Sequence, residues 1–359
     1  MSPVLLLDGG LGTTLEADHG IRFSPATPLW SSHLLITNPS VLRAVHAAFA
    51  ASGADIVMTG TYQASIEGFL NTDAAITPAQ ATGYMRAAVD LAREAFPPSH
   101  AARVALSLGP YGAVMHPVSA EYAGDYPAPM DEIPALRDWH AARLRLFAQD
   151  TETHSWDKVE FVALETVKRV YEVTAIRAAV GDVFASLPSA EDRKKWWVCG
   201  VFPTDQVDEE QVRRWIRASL ENTTANGEDS CPLPRPWGVG LNCTRIENVP
   251  RIMEIMEEEV TRMVQEGTFV DEWQASATGR PWLVVYPDGT QGERYDPSTK
   301  QWVKRDVADT VTRPWEDVFW ETVQAARQRG LWEGVMIGGC CRTGPKDIAA
   351  LRRKIDSAF

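Results

Sequence analysis

The sequence predicts an α/β protein: a (β/α)8 TIM barrel in a single domain, residues 1–359, with surface insertions. Three observations predict it. Eight short apolar runs recur along the chain, a helix-like stretch follows each, and no second zone of composition marks another domain. The runs are continuous rather than alternating, which is the pattern of strands covered on both faces. The length permits one large domain or two ordinary ones. A count of eight favours closure over an open doubly wound sheet.

The first run, residues 4–7, leads into Asp8-Gly9-Gly10-Leu11-Gly12-Thr13. Asn38-Pro39-Ser40 then opens a helix that Ser52-Gly53 closes, with proline early and alanines following. The second run, 55–59, exits through Gly60-Thr61-Tyr62-Gln63, and a helix is expected near 78–95. The third, 104–108, exits through Gly109-Pro110-Tyr111-Gly112 into a long connection, 114–130, rich in Pro, Ala and Tyr. That connection falls on the catalytic side of the barrel, where a lid would sit. A helix over 133–150 follows. The fourth run, 161–164, stops at Glu165-Thr166 before a helix at 169–180. The fifth run, 197–202, and a helix at 209–220 precede a proline-rich segment, 221–236, read as a surface insertion. The sixth, 238–242, exits through Cys243-Thr244 into a helix at 246–265. A polar link, 267–280, is a second surface insertion. The seventh, 282–286, exits through Pro287-Asp288-Gly289, with a helix at 315–329. The eighth, 334–337, exits through Gly338-Gly339-Cys340-Cys341 into a final helix at 345–355.

Bulk composition removes several functions. The formal charge of -13, from 35 basic against 48 acidic residues, disfavours a nucleic-acid groove. No stretch approaches the roughly 20 apolar residues of a membrane span. The first residues form too short an apolar run for a signal peptide and lack a basic flank. Five cysteines in 359 residues are not a disulfide framework, and an odd count fits a reducing compartment. The expectation is a soluble, cytoplasmic protein.

Barrel enzymes place their chemistry where strands end. Cys243 leaves the sixth strand, while Cys340 and Cys341 leave the eighth, with one strand between them. Three thiolates there make an open, soft site whose natural ion is Zn2+ and whose natural fourth ligand is a substrate thiol. The competing readings are small buried residues or a strained vicinal disulfide. Cys199 is a candidate fourth ligand but sits mid-strand, and Cys231 lies in the proline-rich insertion; both read as bystanders. The glycine run after the first strand lacks the spacing and lysine of a phosphate loop. Its glycines, Gly9 among them, let backbone approach a ligand, with Asp8 accepting from an ammonium. Glu165 follows an apolar run, so it must be paired or neutral. Its competing reading is a structural hydrogen-bond network at the barrel mouth. Trp30 is either a pocket wall or ordinary core. Tyr62 and Asn242 stand among the polar groups gathered at the exits. The histidines show no ligand spacing, and the first strand has no His-x-His.

Taken together, Asp8-Gly-Gly-Leu-Gly-Thr13, Gly60-Thr-Tyr-Gln-Ala-Ser65, Ala163-Leu-Glu-Thr166, Gly240-Leu-Asn-Cys243 and Gly338-Gly-Cys-Cys-Arg-Thr-Gly344 resemble the homocysteine S-methyltransferase family. The match covers the whole chain in order, and the Gly-x-Asn-Cys with Gly-Gly-Cys-Cys pair is its specific part. The resemblance implies a (β/α)8 barrel that binds zinc through Cys243, Cys340 and Cys341. It implies an amino-acid pocket at Asp8, Gly9 and Glu165, with Trp30 on the substrate side. Val284-Val-Tyr-Pro-Asp-Gly289 and Gly292-Glu-Arg-Tyr-Asp296 look like the branch using S-methylmethionine or S-adenosylmethionine, although Asp288 stands where that branch usually has Asn. The implied reaction moves a methyl group from a sulfonium donor to homocysteine, forming methionine. Two alternatives are a zinc-dependent barrel hydrolase, which would want His or carboxylate ligands, and a non-catalytic thiol or zinc sensor.

Overall fold

Among the described residues there are ten strands: β1 (Val4–Leu6), β2 (Ile56–Met58), β3 (Arg103–Leu108), β4 (Phe161–Val167), β5 (Lys195–Gly200), β6 (Gly238–Asn242), β7 (Trp282–Tyr286), β8 (Glu293–Asp296), β9 (Gln301–Lys304) and β10 (Val335–Ile337). The computed structural model describes residues 2–24, 27–97, 103–222, 232–268, 279–290, 292–296, 301–304 and 313–358. Eight strands pair in parallel in the order β1-β10-β7-β6-β5-β4-β3-β2. A parallel bridge between Leu7 and Ile56 brings the two ends of this sheet together, so the barrel is nearly closed. The expected single α/β domain with eight parallel strands is therefore found.

The strands form where apolar runs can be buried on both faces. All seven residues of β4 are buried. One set of side chains, including Leu7, Ile56, Phe161, Trp197, Val284, Tyr286 and Met336, packs as a cluster of its own. A larger cluster joins the other strand faces to the helices. The helix Glu209–Leu220 shows why: Val212, Trp215, Ile216 and Leu220 recur at helical spacing and are buried. In β6, glycines make room for bulk next door. A Cβ on Gly240 would lie 1.8 Å from the Val284 carbonyl oxygen, and one on Gly238 would lie 2.7 Å from Val284 Cγ2.

Three features differ from the sequence expectation. Glu165 and Thr166 belong to β4 instead of following it. The pairing register slips between Leu164 and Val167, so the strand continues through an irregularity that a pattern of apolar residues does not reveal. β8 and β9 form an antiparallel hairpin outside the barrel, in register Glu293 to Lys304. Its polar, charged strands carry little apolar signal. A helix, Leu11–His19, starts immediately after the glycine run and ends at Gly20 in the left-handed region.

The long connections divide. Residues 114–130 form a packed wall, with Ala120, Glu121 and Tyr126 buried. Tyr126 donates to Glu172 Oε2 (2.7 Å) and Lys168 Nζ to the Tyr122 carbonyl (2.7 Å). Of the insertion at 221–236, residues 223–231, including Cys231, lie outside the described residues. Its end is anchored: buried Arg177 donates to the carbonyls of Leu233, Pro234, Ala218 and Glu221. Of the link at 267–280, residues 269–278 lie outside the described residues. No helix among the described residues is long and apolar enough to cross a membrane.

The glycine contacts set up a paired stability test. Gly240→Ala forces the Val284 backbone to move and should cost about 1–3 kcal/mol. Gly83→Ala, in the helix Pro78–Arg93 with open space around the position, should gain about 0.5–1 kcal/mol. Denaturant unfolding of both variants checks the sign of each; a neutral Gly240→Ala would contradict the packing described.

Candidate functional site

The strand exits converge on one cavity. It is lined by Asp8, Gly9, Gly10, Cys243, Cys340 and Cys341, together with Trp30, Tyr62, Glu121, Glu165, Tyr286 and Trp302 among others. Of the residues given a metal or substrate role from sequence, all but Asn242 line this cavity.

The three cysteines come together as the barrel order requires. β7 lies between β6 and β10, and the sulfur atoms of Cys243, Cys340 and Cys341 all lie within 4.8 Å of one another. Backbone bonds fix the turns that carry them. Cys243 N donates to the Tyr286 carbonyl (3.2 Å) and Cys340 N to the Pro287 carbonyl (2.9 Å). Gly289 N donates to the Cys341 carbonyl (2.7 Å), and Gly10 N to the Thr343 carbonyl (2.9 Å). Gly10 is needed at this closure, because a Cβ there would lie 2.3 Å from the Cys340 carbonyl oxygen. Cys243 and Arg342 both hold positive φ, 46° and 62°, which aims the cysteine turns inward.

In this structure Cys243 and Cys340 are joined as a disulfide, and Cys341 is free. The sequence led us to expect three thiols; the structure draws the same convergence in its oxidised form. Once that bond is reduced, the donor set is three soft sulfurs on one side of an open cavity, which fits a thiophilic divalent ion such as zinc. The Cys341 thiol is pushed well up by burial and by the nearby carboxylates of Asp288, Glu121 and Glu16. A thiolate there needs a compensating cation, which a metal ion provides. Cys199, the candidate fourth ligand, is instead fully buried within the Trp197 and Tyr286 cluster, its thiol donating to the Val284 carbonyl (3.5 Å).

Two carboxylates hold the barrel mouth. Asp8 is 2% exposed; Oδ2 accepts from Met58 N (2.8 Å), while Oδ1 is buried without a partner. Burial pushes the Asp8 carboxyl well above the usual range, and the charge of Glu165 adds to this. Glu165, 5% exposed, accepts from the Ser107 hydroxyl. Its carboxyl is pushed up to about 7, mainly by burial; bonds from Ser107 and Tyr286 and the charge of Arg143 oppose the rise. A cation placed between these two groups would relieve the penalty of both. Gly9 sits beside Asp8 with no space for a side chain: a Cβ would lie 2.7 Å from the Thr343 carbonyl oxygen.

Tyr62 donates to Glu121 Oε2 (2.6 Å), and Trp30, at φ 45°, stacks on Phe23 with ring centroids 4.7 Å apart. Asn242 is fully buried and does not line the cavity. Its Oδ1 accepts from Thr166 N (2.7 Å), and its Nδ2 donates to Thr166 Oγ1 (2.8 Å) and to the Cys243 sulfur (3.3 Å). It therefore orients a candidate ligand and pins Thr166, which holds φ 62°.

Sequence reasoning missed Glu121, Tyr122 and Trp302. The first two sit in the 114–130 connection, noticed there only as a Pro-, Ala- and Tyr-rich stretch. Trp302 comes from β9, with the Arg342 guanidinium 4.8 Å from its ring and Arg342 also paired to Glu293 (3.0 Å). One tryptophan among 13 carries no positional signal without the hairpin.

Comparison with known proteins gives one answer. The homocysteine S-methyltransferase family model matches residues 5–355. A homocysteine S-methyltransferase 4 from Zea mays is 30% identical over 368 residues, covering 98% of this chain and 90% of the relative. A selenocysteine Se-methyltransferase from Brassica oleracea var. italica is 28% identical over 367 residues, covering 98% and 89%. The homocysteine methyltransferase of Escherichia coli, solved in a metallated and in an oxidized form, superposes with a TM-score of 0.64 for each, at 26% identity and coverage of 98% of this chain and 96% of that one. With a barrel of the expected order and three cysteines at its mouth, the chain belongs to the homocysteine S-methyltransferase family.

Proposed function

We propose that this enzyme is a zinc-dependent homocysteine S-methyltransferase that takes its methyl group from a sulfonium donor, S-methylmethionine or S-adenosylmethionine, and forms methionine. The observation that carries the reading is the meeting of three cysteine sulfurs within 4.8 Å at a cavity whose other charged lining residues are carboxylates. Family membership supports the thiol acceptor. The metallated form of the E. coli relative supports a metal at the cysteines.

Cys243, Cys340 and Cys341 would hold the ion. When bound, zinc supplies Lewis acidity that keeps a substrate thiol, with an ordinary pKa near 8.5, deprotonated at neutral pH. The chain does the rest by binding and exclusion. Asp8 and Glu165 take the homocysteine ammonium: one oxygen of Asp8 is already buried and unpartnered, and both carboxyls gain by facing a cation. Gly9 lets that amino acid lie against backbone. Trp30, Tyr62 and Trp302 line the cavity and keep water from the sulfur. Attack on a sulfonium methyl then needs no general base. A thiolate centre also needs a reducing compartment, so we assign the protein to the cytoplasm. A barrel hydrolase is the weaker reading, because the cluster offers sulfur only.

Reduced, zinc-loaded protein given homocysteine and each sulfonium donor should form methionine; no product with either donor would refute the reading. Cys243→Ala, Cys340→Ala and Cys341→Ala should each lose zinc and turnover together, measured by metal analysis and a methionine assay. A variant without zinc but fully active would end the metal assignment. Glu165→Ala should weaken homocysteine binding by about 10- to 100-fold, the scale of a hydrogen bond to a charged group, while zinc content stays near that of the parent. Loss of the metal in that variant would instead make Glu165 part of the metal site.

A further inference from the structure

One side chain ties the exit of β4 to the exit of β6. Asn242 is fully buried at the end of β6, and its amide reaches past β5 to β4. Its Oδ1 accepts from Thr166 N (2.7 Å), and its Nδ2 donates to Thr166 Oγ1 (2.8 Å) and to the Cys243 sulfur (3.3 Å). Both residues it holds have positive φ, 62° at Thr166 and 46° at Cys243. For a β-branched residue such as Thr166 that conformation is an outlier, of the kind that persists only where its surroundings fix it. The pairing of β4 with β5 shows what the outlier achieves. Leu164 faces Val198 and Val167 faces Gly200, so β4 carries one residue more than its partner there. Successive residues of a regular strand point to opposite faces, yet Glu165 and Thr166 both line the cavity. Asn242 therefore holds the irregularity that brings both inward. Glu165 is held from the neighbouring strand on the other side, β3, by the Ser107 hydroxyl.

We propose that Asn242 is a positioning residue that sets the chain length of the acceptor: by fixing the exit of β4 against Cys243, it holds Glu165 and the cysteine sulfurs apart by the reach of a two-methylene amino thiol. This rests on the methyltransferase reading above and names what selects its acceptor. In that reading an α-amino thiol is gripped at two points, its ammonium by Asp8 and Glu165 and its sulfur at the cysteines. A two-point grip measures the chain between the points. Cysteine, one methylene shorter, does not satisfy both ends at once, and a thiol one methylene longer has to buckle. The chemical step does not discriminate among them. For each acceptor the thiol proton goes to solvent and the sulfur electron pair forms the new S–CH3 bond, while the pair of the broken S–CH3 bond stays on the donor sulfur. Selection is left to the span. One methylene is worth about 10- to 200-fold in kcat/KM where the pocket is fitted to the chain. Loosening the tie between Thr166 and Cys243 gives up that fit.

The test compares the reduced, zinc-loaded full chain with Asn242→Ala, which removes all three bonds, and with Thr166→Val, which removes only the Oγ1 acceptor. Homocysteine is set against cysteine and 2-amino-5-sulfanylpentanoate, one methylene shorter and one longer, by direct binding and as methyl acceptors from S-methylmethionine and S-adenosylmethionine. The parent should prefer homocysteine to either by at least about tenfold. In Asn242→Ala the preference should fall below about threefold, through a rise in homocysteine KM, with zinc content within about twofold of the parent. Thr166→Val should move the preference in the same direction by a smaller factor. An equal loss for all three acceptors would make Asn242 a residue of the fold alone and overturn the proposal. So would an unchanged preference in Asn242→Ala or, where that variant does not fold, in Thr166→Val. Loss of zinc in a folded Asn242→Ala would place the residue in the metal site and overturn it as well. A parent that binds cysteine as tightly as homocysteine overturns it without any variant. A parent that methylates no thiol would sink the functional reading instead, and the binding preferences would still decide the role of Asn242.

Discussion

Three sulfur atoms within 4.8 Å of one another are the constraint on which the rest of the site depends. Two separate strand exits deliver them, and the barrel does so by setting β7 between β6 and β10. The exits are tied backbone to backbone, from Cys243 to Tyr286, from Cys340 to Pro287 and from Gly289 to Cys341. Gly10 closes the ring from β1, where any side chain would strike the Cys340 carbonyl. Such a ring holds ligands in place before a ligand arrives, which is what a metal site or a disulfide both exploit. The same proximity suits the site both to a metal ion and to a disulfide, and in this structure Cys243 and Cys340 are bonded.

Around that ring the protein has placed negative charge under apolar cover. Asp8 and Glu165 are both buried and both shifted toward the neutral form, mainly by burial; the charge of Glu165 adds to the rise at Asp8, and that of Glu121 to the rise at Glu165. An arrangement of this kind is unfavourable to the empty fold and favourable to a cationic ligand, which is the physical ground for the substrate role proposed for the two carboxylates. Asn242 shows the opposite use of a buried polar group. Its amide is satisfied by Thr166 and by the Cys243 sulfur, and it orients both without lining the cavity itself.

The fold was legible because a parallel barrel needs eight continuous apolar runs, and each run was there to read. The cysteines were legible because Cys243 and the Cys340-Cys341 pair follow such runs directly. What escaped was what periodicity does not encode. The slip in β4 that draws Glu165 and Thr166 into the strand depends on pairing with β5. The hairpin bearing Trp302 is charged on both strands. Glu121 is recruited by a tertiary bond from Tyr62, 59 positions away in sequence. Asn242 was seen as a polar exit residue but not as a support, since its direction is set by its neighbours across β4.

The central claim is that these three sulfurs, once reduced, form a metal centre that remains open to a substrate thiol. X-ray absorption at the zinc edge of the reduced, zinc-loaded protein tests it most directly. Three sulfur scatterers near 2.3 Å and one lighter atom should be found, changing to four sulfurs when homocysteine is added. A first shell dominated by nitrogen or oxygen, or one that homocysteine leaves unchanged, would contradict it.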